Sequence, residues 1–275
     1  MVSSSAHPLG DTPQRSYAGK LERFGRFIAP ELKVLFAEFA LPPGAAVLDV
    51  GCGVGIATHM LAELLGHESR VVGIDLSMPH LHAARGARVA LLQADASKLC
   101  FRDRTFDLIW SCNTVNHLAD PVGALRQLRA LLRAEGRLVL AQSGLLPEMY
   151  FAWDAPLDDA VRRACHAYYR ERYGLKESDT AAVRGIVGLV KRAGLRLGRV
   201  HTVTIERVQP LSQADREYFC ETIFKSTWGD RLRPWLTPEQ WQALRRSTDS
   251  ASEEFCLDRE DFHHIQTLTV FEARA

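Results

Sequence analysis

The stretch Val47-Leu48-Asp49-Val50-Gly51-Cys52-Gly53-Val54-Gly55 constrains this chain more than any other. An apolar run breaks into glycines at every second position, and a helical apolar pattern follows from Ile56 to Leu65. The pattern predicts a buried strand, a sharp turn and a helix start. Glycine accepts positive φ and has no Cβ, so such a turn bends tightly and lets a ligand touch bare backbone. The helix beyond it aims unpaired amides and the positive end of its dipole at the turn. A nucleotide-like molecule suits that cradle.

The rest of the first half repeats a strand–helix rhythm. Ala18 to Ala40 has the helical stripe Leu21, Phe24, Ile28, Leu32, Leu35 and Phe36, with Pro30 as an expected interruption, and reads as a lid or packing helix. Arg70 to Asp75 is a second strand ending in a carboxylate, Val89 to Gln93 a third and Phe106 to Trp110 a fourth. Pro121 to Ala134 is amphipathic, with Asp120 as its N-cap, and Gly136 is expected to stop it before a fifth strand, Arg137 to Gln142. Strands alternating with helices, with no fixed-period repeat, define an α/β fold built on a doubly wound parallel sheet. Beyond Ser143 the rhythm changes. Stretches near residues 146–177 and 209–259 read as helical cap insertions in one domain spanning 17–275, separated by a strand from Arg196 to Val208. His264 to Arg274 closes the chain as an alternating strand, with His263-His264 read as a pair at the sheet edge.

Composition narrows the partners. With 34 Lys and Arg against 33 Asp and Glu, the formal charge of +1 offers phosphate backbones and anionic membranes no strong attraction, so neither is expected as a partner. Six cysteines at 52, 100, 112, 165, 220 and 256 form no two-residue metal or redox spacing, which fits reduced thiols in a cytoplasmic protein. Residues 1–16 are rich in Ser and Pro, lack the apolar core of a signal peptide, and read as a flexible tail.

At this point the chain resembles the class I S-adenosylmethionine-dependent methyltransferases, over residues 44–145 closely and over the remainder in outline. The residues that carry the likeness are Asp49 to Gly55, Asp75, Asp95-Ala96, Phe106 to Trp110, and Leu131 to Arg137, where Glu135-Gly136 replaces the family's usual Pro-Gly. Ile56 stands where a dinucleotide fingerprint requires glycine, and Asp49 two residues before the first glycine suits the methyltransferase pattern. The resemblance implies a Rossmann-like sheet of seven strands with an antiparallel last strand, and S-adenosylmethionine as cofactor. It also implies cofactor contacts from Asp49, Gly51, Gly53, Gly55, Asp75, Leu76, Asp95, Ala96, Ser111 and Asn113. Asp75 is expected to accept ribose hydroxyls, Asp95 the adenine amine, and Leu76 and Ala96 to flank the ring.

Fewer residues speak about the methyl acceptor. Ser111-Cys112-Asn113-Thr114 lacks the Asn-Pro-Pro-Tyr pattern of amide and adenine nitrogen methylation and the Pro-Cys of cytosine ring-carbon methylation, and no Asp at 111 begins a magnesium site, so no metal is expected. A small-molecule acceptor in secondary or specialised metabolism, methylated on O, N or C, is the reading; a cofactor-binding protein with another reaction or a recognition role is the alternative. His117 has two readings, a base that deprotonates a hydroxyl or a residue that orients the turn before the next helix. Tyr150, Trp153, Tyr169, Phe224 and Trp228 are candidates for an acceptor pocket, against a role as core of the insertions. A homodimer is compatible with the sequence.

Overall fold

The computed structural model describes residues 17–84, 86, 89–143, 154–173 and 182–275. The sequence-expected tail, 1–16, lies outside them. The chain divides into two compact units, one of residues 1–143, 182–203 and 269–275, the other of 144–181 and 204–268.

The first unit begins with α1 (Ala18–Glu38), β1 (Ala46–Val50), α2 (Ile56–Leu65), β2 (Arg70–Asp75), α3 (Met78–Ala83), β3 (Ala90–Gln93) and β4 (Phe106–Cys112). It continues through α4 (Pro121–Leu131), β5 (Leu132–Gln142) and α6 (Ala182–Arg192). Between the last two, α5 (Ala155–Tyr173) belongs to the second unit. Two long strands, β6 (Arg196–Val208) and β7 (His263–Arg274), complete a seven-stranded sheet of order β3-β2-β1-β4-β5-β7-β6. Strands β1 to β5 pair in parallel and β7 runs antiparallel to β5. Every residue of β1 is buried, which requires cover on both faces of the sheet. On one face Leu48, Val50 and Ile109 join Leu125 and Leu128 of α4 and Ile186 and Val190 of α6 in a single apolar cluster. On the other, Trp110 is fully buried with its ring centroid 5.0 Å from Phe36 of α1. Each such side chain contributes roughly 1.5–3 kcal/mol by leaving water.

Two expected boundaries differ. Helix α1 runs unbroken through Pro30. Pro30 is exposed, so the backbone bond it removes falls on the solvent side while Phe27, Ile28, Leu32 and Leu35 keep the buried stripe together. Helix α4 ends at Leu131 rather than Ala134, and Leu132 turns extended to pair with Phe106. The pairing register jumps from Phe106↔Leu132 to Leu108↔Arg137, so Glu135-Gly136 sits in a bulge. Asp107 explains the early exit: one of its oxygens accepts both Arg133 Nη1 at 2.6 Å and the Ala46 amide at 2.8 Å.

The strand order reverses between β1 and β4, and a crevice opens there at the carboxyl ends of the strands. Gly51 and Cys52 donate their amides to the Ile74 carbonyl, turning the chain sharply after β1. Gly51 has φ of 74°, and a Cβ there would meet Thr114 Oγ1 at 2.1 Å. Thr114 cannot retreat freely, because its hydroxyl lies 3.2 Å from the Val50 carbonyl it bonds.

The second unit carries α5, α7 (Gln213–Glu217), a π-helix over Tyr218–Trp228 and α8 (Pro238–Thr248). Ser212 and Asp215 form a capping box at α7, and Thr237 with Gln240 forms another at α8. Its core holds Tyr218, Phe219, Phe224, Trp228, Phe255 and Phe262, with Phe224 stacked on Trp228 at 5.6 Å. Arg207 Nε meets Asp215 at 2.7 Å in the same buried region. The two adjacent histidines part company. His263 is exposed and 2.6 Å from Glu206, whereas His264 is fully buried against Phe219, and burial pushes its imidazole down to about 3. Strand alternation sends neighbours to opposite faces, so a surface pair was never available. Among the described residues no helix is long and apolar enough to cross a membrane.

Gly51→Ala is expected to lower the melting temperature of the protein by about 5–10 °C in scanning calorimetry, because positive φ and the Thr114 clash act together. An unchanged transition would mean that the turn relaxes without strain.

Candidate cofactor and active site

A cavity of about 460 Å³ occupies the crevice within the first unit. That volume lies in the usual range for a bound small molecule or cofactor. One wall is the glycine turn from Gly51 to Val54, a second is the segment from Asp75 to Ser77 with His80, and a third is Asn113, Thr114 and His117 to Asp120 beyond β4. Helix α1 supplies the fourth with Leu21, Phe24 and Ile28.

Asp75 sits where β2 ends, and its carboxylate binds the turn together. Oδ2 accepts the Gly53 amide at 2.9 Å, Oδ1 accepts the Ser77 amide at 2.8 Å, and His80 Nδ1 lies 3.4 Å from Oδ1. Burial pushes this carboxyl up, but the His80 and backbone hydrogen bonds outweigh it and hold the group below its ordinary value. Asp75 is therefore an anion at neutral pH. Asp49 is different. It is 2% exposed, and burial, aided by the nearby Asp75 charge and opposed by a 2.6 Å bond from Thr58 Oγ1, raises it to about 7. Asp95, at the turn after β3, is exposed and accepts the Ser97 amide and hydroxyl on Oδ1.

Most of the residues expected at the site line this cavity: Asp49, Gly51, Gly53, Asp75, Leu76, Asp95, Ala96, Asn113 and His117. Gly55 stands one step back, as the left-handed N-cap of α2, where a Cβ would meet Ala84 at 2.9 Å. Ser111 is not in the lining. It is buried and donates to the Val50 carbonyl at 2.9 Å, lacing β4 to β1. The amide oxygen of Asn113 accepts from Gln142 and from the Ser143 amide and hydroxyl, so this side chain braces the strand ends. His117 ends a single turn of 3-10 helix, Val115–His117, just before the Asp120 cap of α4. Tyr150 and Trp153 lie outside the described residues. Tyr169 is half-buried on α5, while Phe224 and Trp228 belong to the second unit's core.

Three features escaped the sequence. The apolar stripe of α1 read as a lid or packing helix, but nothing in it said which of its residues would line the cavity. His80 carried only the weak signal of standing three residues after Ser77, the N-cap of α3. Cys112 also lines the cavity, and burial, then the Asp49 charge, push its thiol up to about 12, which makes it no nucleophile at neutral pH.

The charge of the lining separates candidate ligands. Asp49, Asp75, Asp95 and Asp120 contribute to it, and among the described residues no Lys or Arg does. A pyrophosphate would meet carboxylates without a cation to pair with. A ligand with positive charge, ribose hydroxyls and an aromatic base fits the same groups: Asp75 toward hydroxyls, Leu76 and Ala96 along a ring, bare glycine backbone beneath.

Comparison with known proteins agrees with this geometry. Residues 48–140 match the family model described as "Methyltransferase domain". The chain is 35% identical over 149 residues to Methyltransferase GfsG of Streptomyces halstedii, covering 51% of each protein. It is also 35% identical over 106 residues to the 2-methyl-6-phytyl-1,4-hydroquinone methyltransferase of Synechocystis, covering 37% of this chain and 33% of that one. The chain thus spans about half or less of the length of these curated relatives. In fold it is similar to YcgJ of Bacillus subtilis, with a TM-score of 0.52, 14% identity, and coverage of 90% and 99%. It is similar as well to the [4+2]-cyclase SpnF, with a TM-score of 0.52, 18% identity, and coverage of 96% and 85%. Fold, glycine turn and matched residues agree on one class: residues 48–140 of this chain carry a methyltransferase domain, set in a sheet shared with S-adenosylmethionine-dependent methyltransferases.

Asp49 sets a pH dependence of stability. Its folded value of about 7 lies above the unfolded 3.8, so the native state holds a proton that the unfolded chain releases between those pH values. Stability from this group is complete below about pH 3.8 and is lost as pH rises through about 7. Asp49→Asn keeps an acceptor for Thr58 and removes the charge. Its advantage over the wild type in unfolding free energy, measured by denaturant titration without ligand, is expected to grow from pH 4.5 to pH 8.5, on the order of 2–4 kcal/mol at the upper end. A difference independent of pH would show that Asp49 ionises normally.

Proposed function

We propose that this protein transfers a methyl group from S-adenosylmethionine to a small-molecule acceptor. The observation that carries the reading is a cavity lined by carboxylates without Lys or Arg among the described residues, set against a glycine turn inside a matched methyltransferase domain. When bound, the cofactor supplies an activated methyl on a positively charged sulfur. Asp75 takes ribose hydroxyl hydrogens; the bare backbone at Gly51 and Gly53 admits the ribose and methionine portions closely; Leu76 and Ala96 flank the adenine, with Asp95 accepting from its amine. Asp49, as a carboxylate above about pH 7, adds negative charge facing a cationic ligand. Methyl transfer is an in-line displacement, so holding acceptor and methyl in line supplies much of the rate, roughly 7–11 kcal/mol in well-oriented intramolecular cases.

His117 is our candidate for the base that takes a proton from an acceptor hydroxyl, and it lines the same cavity. Tyr169, with Tyr150 and Trp153, is our candidate for acceptor contact, while Phe224 and Trp228 are buried in their unit's core. The name of the hydroquinone methyltransferase relative supports a small-molecule acceptor. A role in specialised metabolism in the cytoplasm, without a metal or nucleic-acid partner, completes the proposal.

Calorimetry with S-adenosylhomocysteine tests the cofactor reading: micromolar binding is expected, and Asp75→Ala is expected to weaken it at least tenfold. No binding by the wild type would overturn the reading. His117→Ala is expected to lower turnover by about 10²–10⁴-fold on a hydroxyl acceptor, with cofactor affinity held within about twofold. Unchanged turnover would remove His117 as a base and leave it as the residue that orients the start of α4.

A further inference from the structure

His80 is buried, at 7% exposure, and stands between two parts of the cavity wall that the sequence keeps far apart. Its Nε2 accepts the backbone amide of Tyr17 at 3.1 Å, and its Nδ1 faces Asp75 Oδ1 at 3.4 Å. An amide hydrogen can enter only a bare ring nitrogen, so Nε2 carries the lone pair and Nδ1 the proton of the neutral ring. One imidazole thus accepts from Tyr17 and donates toward Asp75.

Tyr17 is the N-cap residue of α1, and its carbonyl accepts the amides of Lys20 and Leu21 to start the helix. One turn on, Leu21 reaches Gly53 so closely that a Cβ on that glycine would lie 3.2 Å from Leu21 Cδ1. A second turn on, Gly25 meets Ile56 at the start of α2, where a Cβ would come within 2.8 Å. Gly53 in turn donates its amide to Asp75. The contacts close a ring that runs Asp75, His80, Tyr17, Leu21, Gly53 and back to Asp75.

We propose that His80 is a positioning residue that latches the N-terminal helix α1 over the cofactor cavity by tying its N-cap residue, Tyr17, to the Asp75 carboxylate. The proposal rests on the reading of this cavity as the cofactor site. Without the latch, α1 keeps its apolar packing through Phe27, Phe36 and Trp110, but its first two turns lose their tie to the wall that the ligand uses. Leu21, Phe24 and Ile28 are then free to leave the cavity. The same ring predicts the reverse effect: a ligand that bridges Asp75 and the glycine turn holds α1 down.

The test uses the full chain with His80→Leu, which keeps apolar bulk and removes both polar contacts. His80→Gln is the partial rescue, since its amide oxygen accepts the Tyr17 amide. In hydrogen exchange without ligand, amides from Ala18 to Ile28 are expected to exchange at least tenfold faster in His80→Leu, with residues 31–38 unchanged. With S-adenosylhomocysteine, wild-type protection over 18–28 is expected to rise, and less so in the variant. In turnover, KM for S-adenosylmethionine is expected to rise at least fivefold with kcat within twofold, and His80→Gln to return most of the loss. Unchanged exchange over 18–28 in a folded His80→Leu protein would overturn the latch, and so would equal losses in kcat and kcat/KM. Should His80→Leu fail to fold, Tyr17→Pro removes the donor from the other side and is expected to give the same exchange signature; normal protection there overturns the proposal. Failure of the wild type to bind S-adenosylhomocysteine would overturn the cofactor reading alone, because the ligand-free exchange still decides whether His80 holds α1.

Discussion

The carboxylate of Asp75 is the fixed point of the first unit. It gathers the amides of Gly53 and Ser77 and the ring of His80 at the one place where β2 ends, the glycine turn passes and α3 begins. Hydrogen bonds to an ionised oxygen are about twice as strong as neutral ones, and here they are strong enough to overcome the burial that would neutralise the group. Remove this anion and the glycine turn and the start of α3 lose the acceptor they share at the end of β2. Because the donors approach from the turn and from α3, the same group that organises the wall also faces the cavity.

Asp49 and Asp75 show how one site keeps two carboxylates in different states. Asp75 has several donors and remains charged; Asp49 has one hydroxyl from Thr58 and a like charge nearby, and is raised to about 7. The pair makes the cavity's negative character depend on pH and on what enters. A cation favours the ionised form of Asp49, so entry of a positively charged ligand and loss of that proton are linked. The absence of Lys and Arg from the described lining makes this bias one-sided. It is the clearest physical distinction between this crevice and a dinucleotide site on a similar sheet.

Much of the first unit was legible because its signals are local. The apolar run of β1, the glycine spacing, the Asp120 cap and the carboxylate closing β2 each depend on neighbours within a few residues. The misjudged places depend on distant ones. Leu132 leaves α4 because Asp107 holds Arg133 and because Phe106 offers it a strand partner. Pro30 stays inside α1 because the lost bond faces water while Phe36 and Trp110 hold the helix from the other side. Ser111 was read as a ligand contact, but the pleat sends it to the Val50 carbonyl and leaves Trp110 and Cys112 to the cavity side.

The sequence alone determined the turn after β1 and the class of molecule it cradles, since glycines at 51, 53 and 55 leave the backbone little choice and Asp75 follows at the end of the next strand. Only the tertiary structure decided what the turn faces. His80 and Tyr17, 63 residues apart, meet at 3.1 Å, and Leu21 and Gly53 touch, because α1 returns across the carboxyl ends of the strands. Contacts of that span are chosen by the packing of helices on a twisted sheet, and no periodicity within either segment records them. The glycine turn and a covering helix were written in the chain; which residues of that helix meet the turn was decided by the fold.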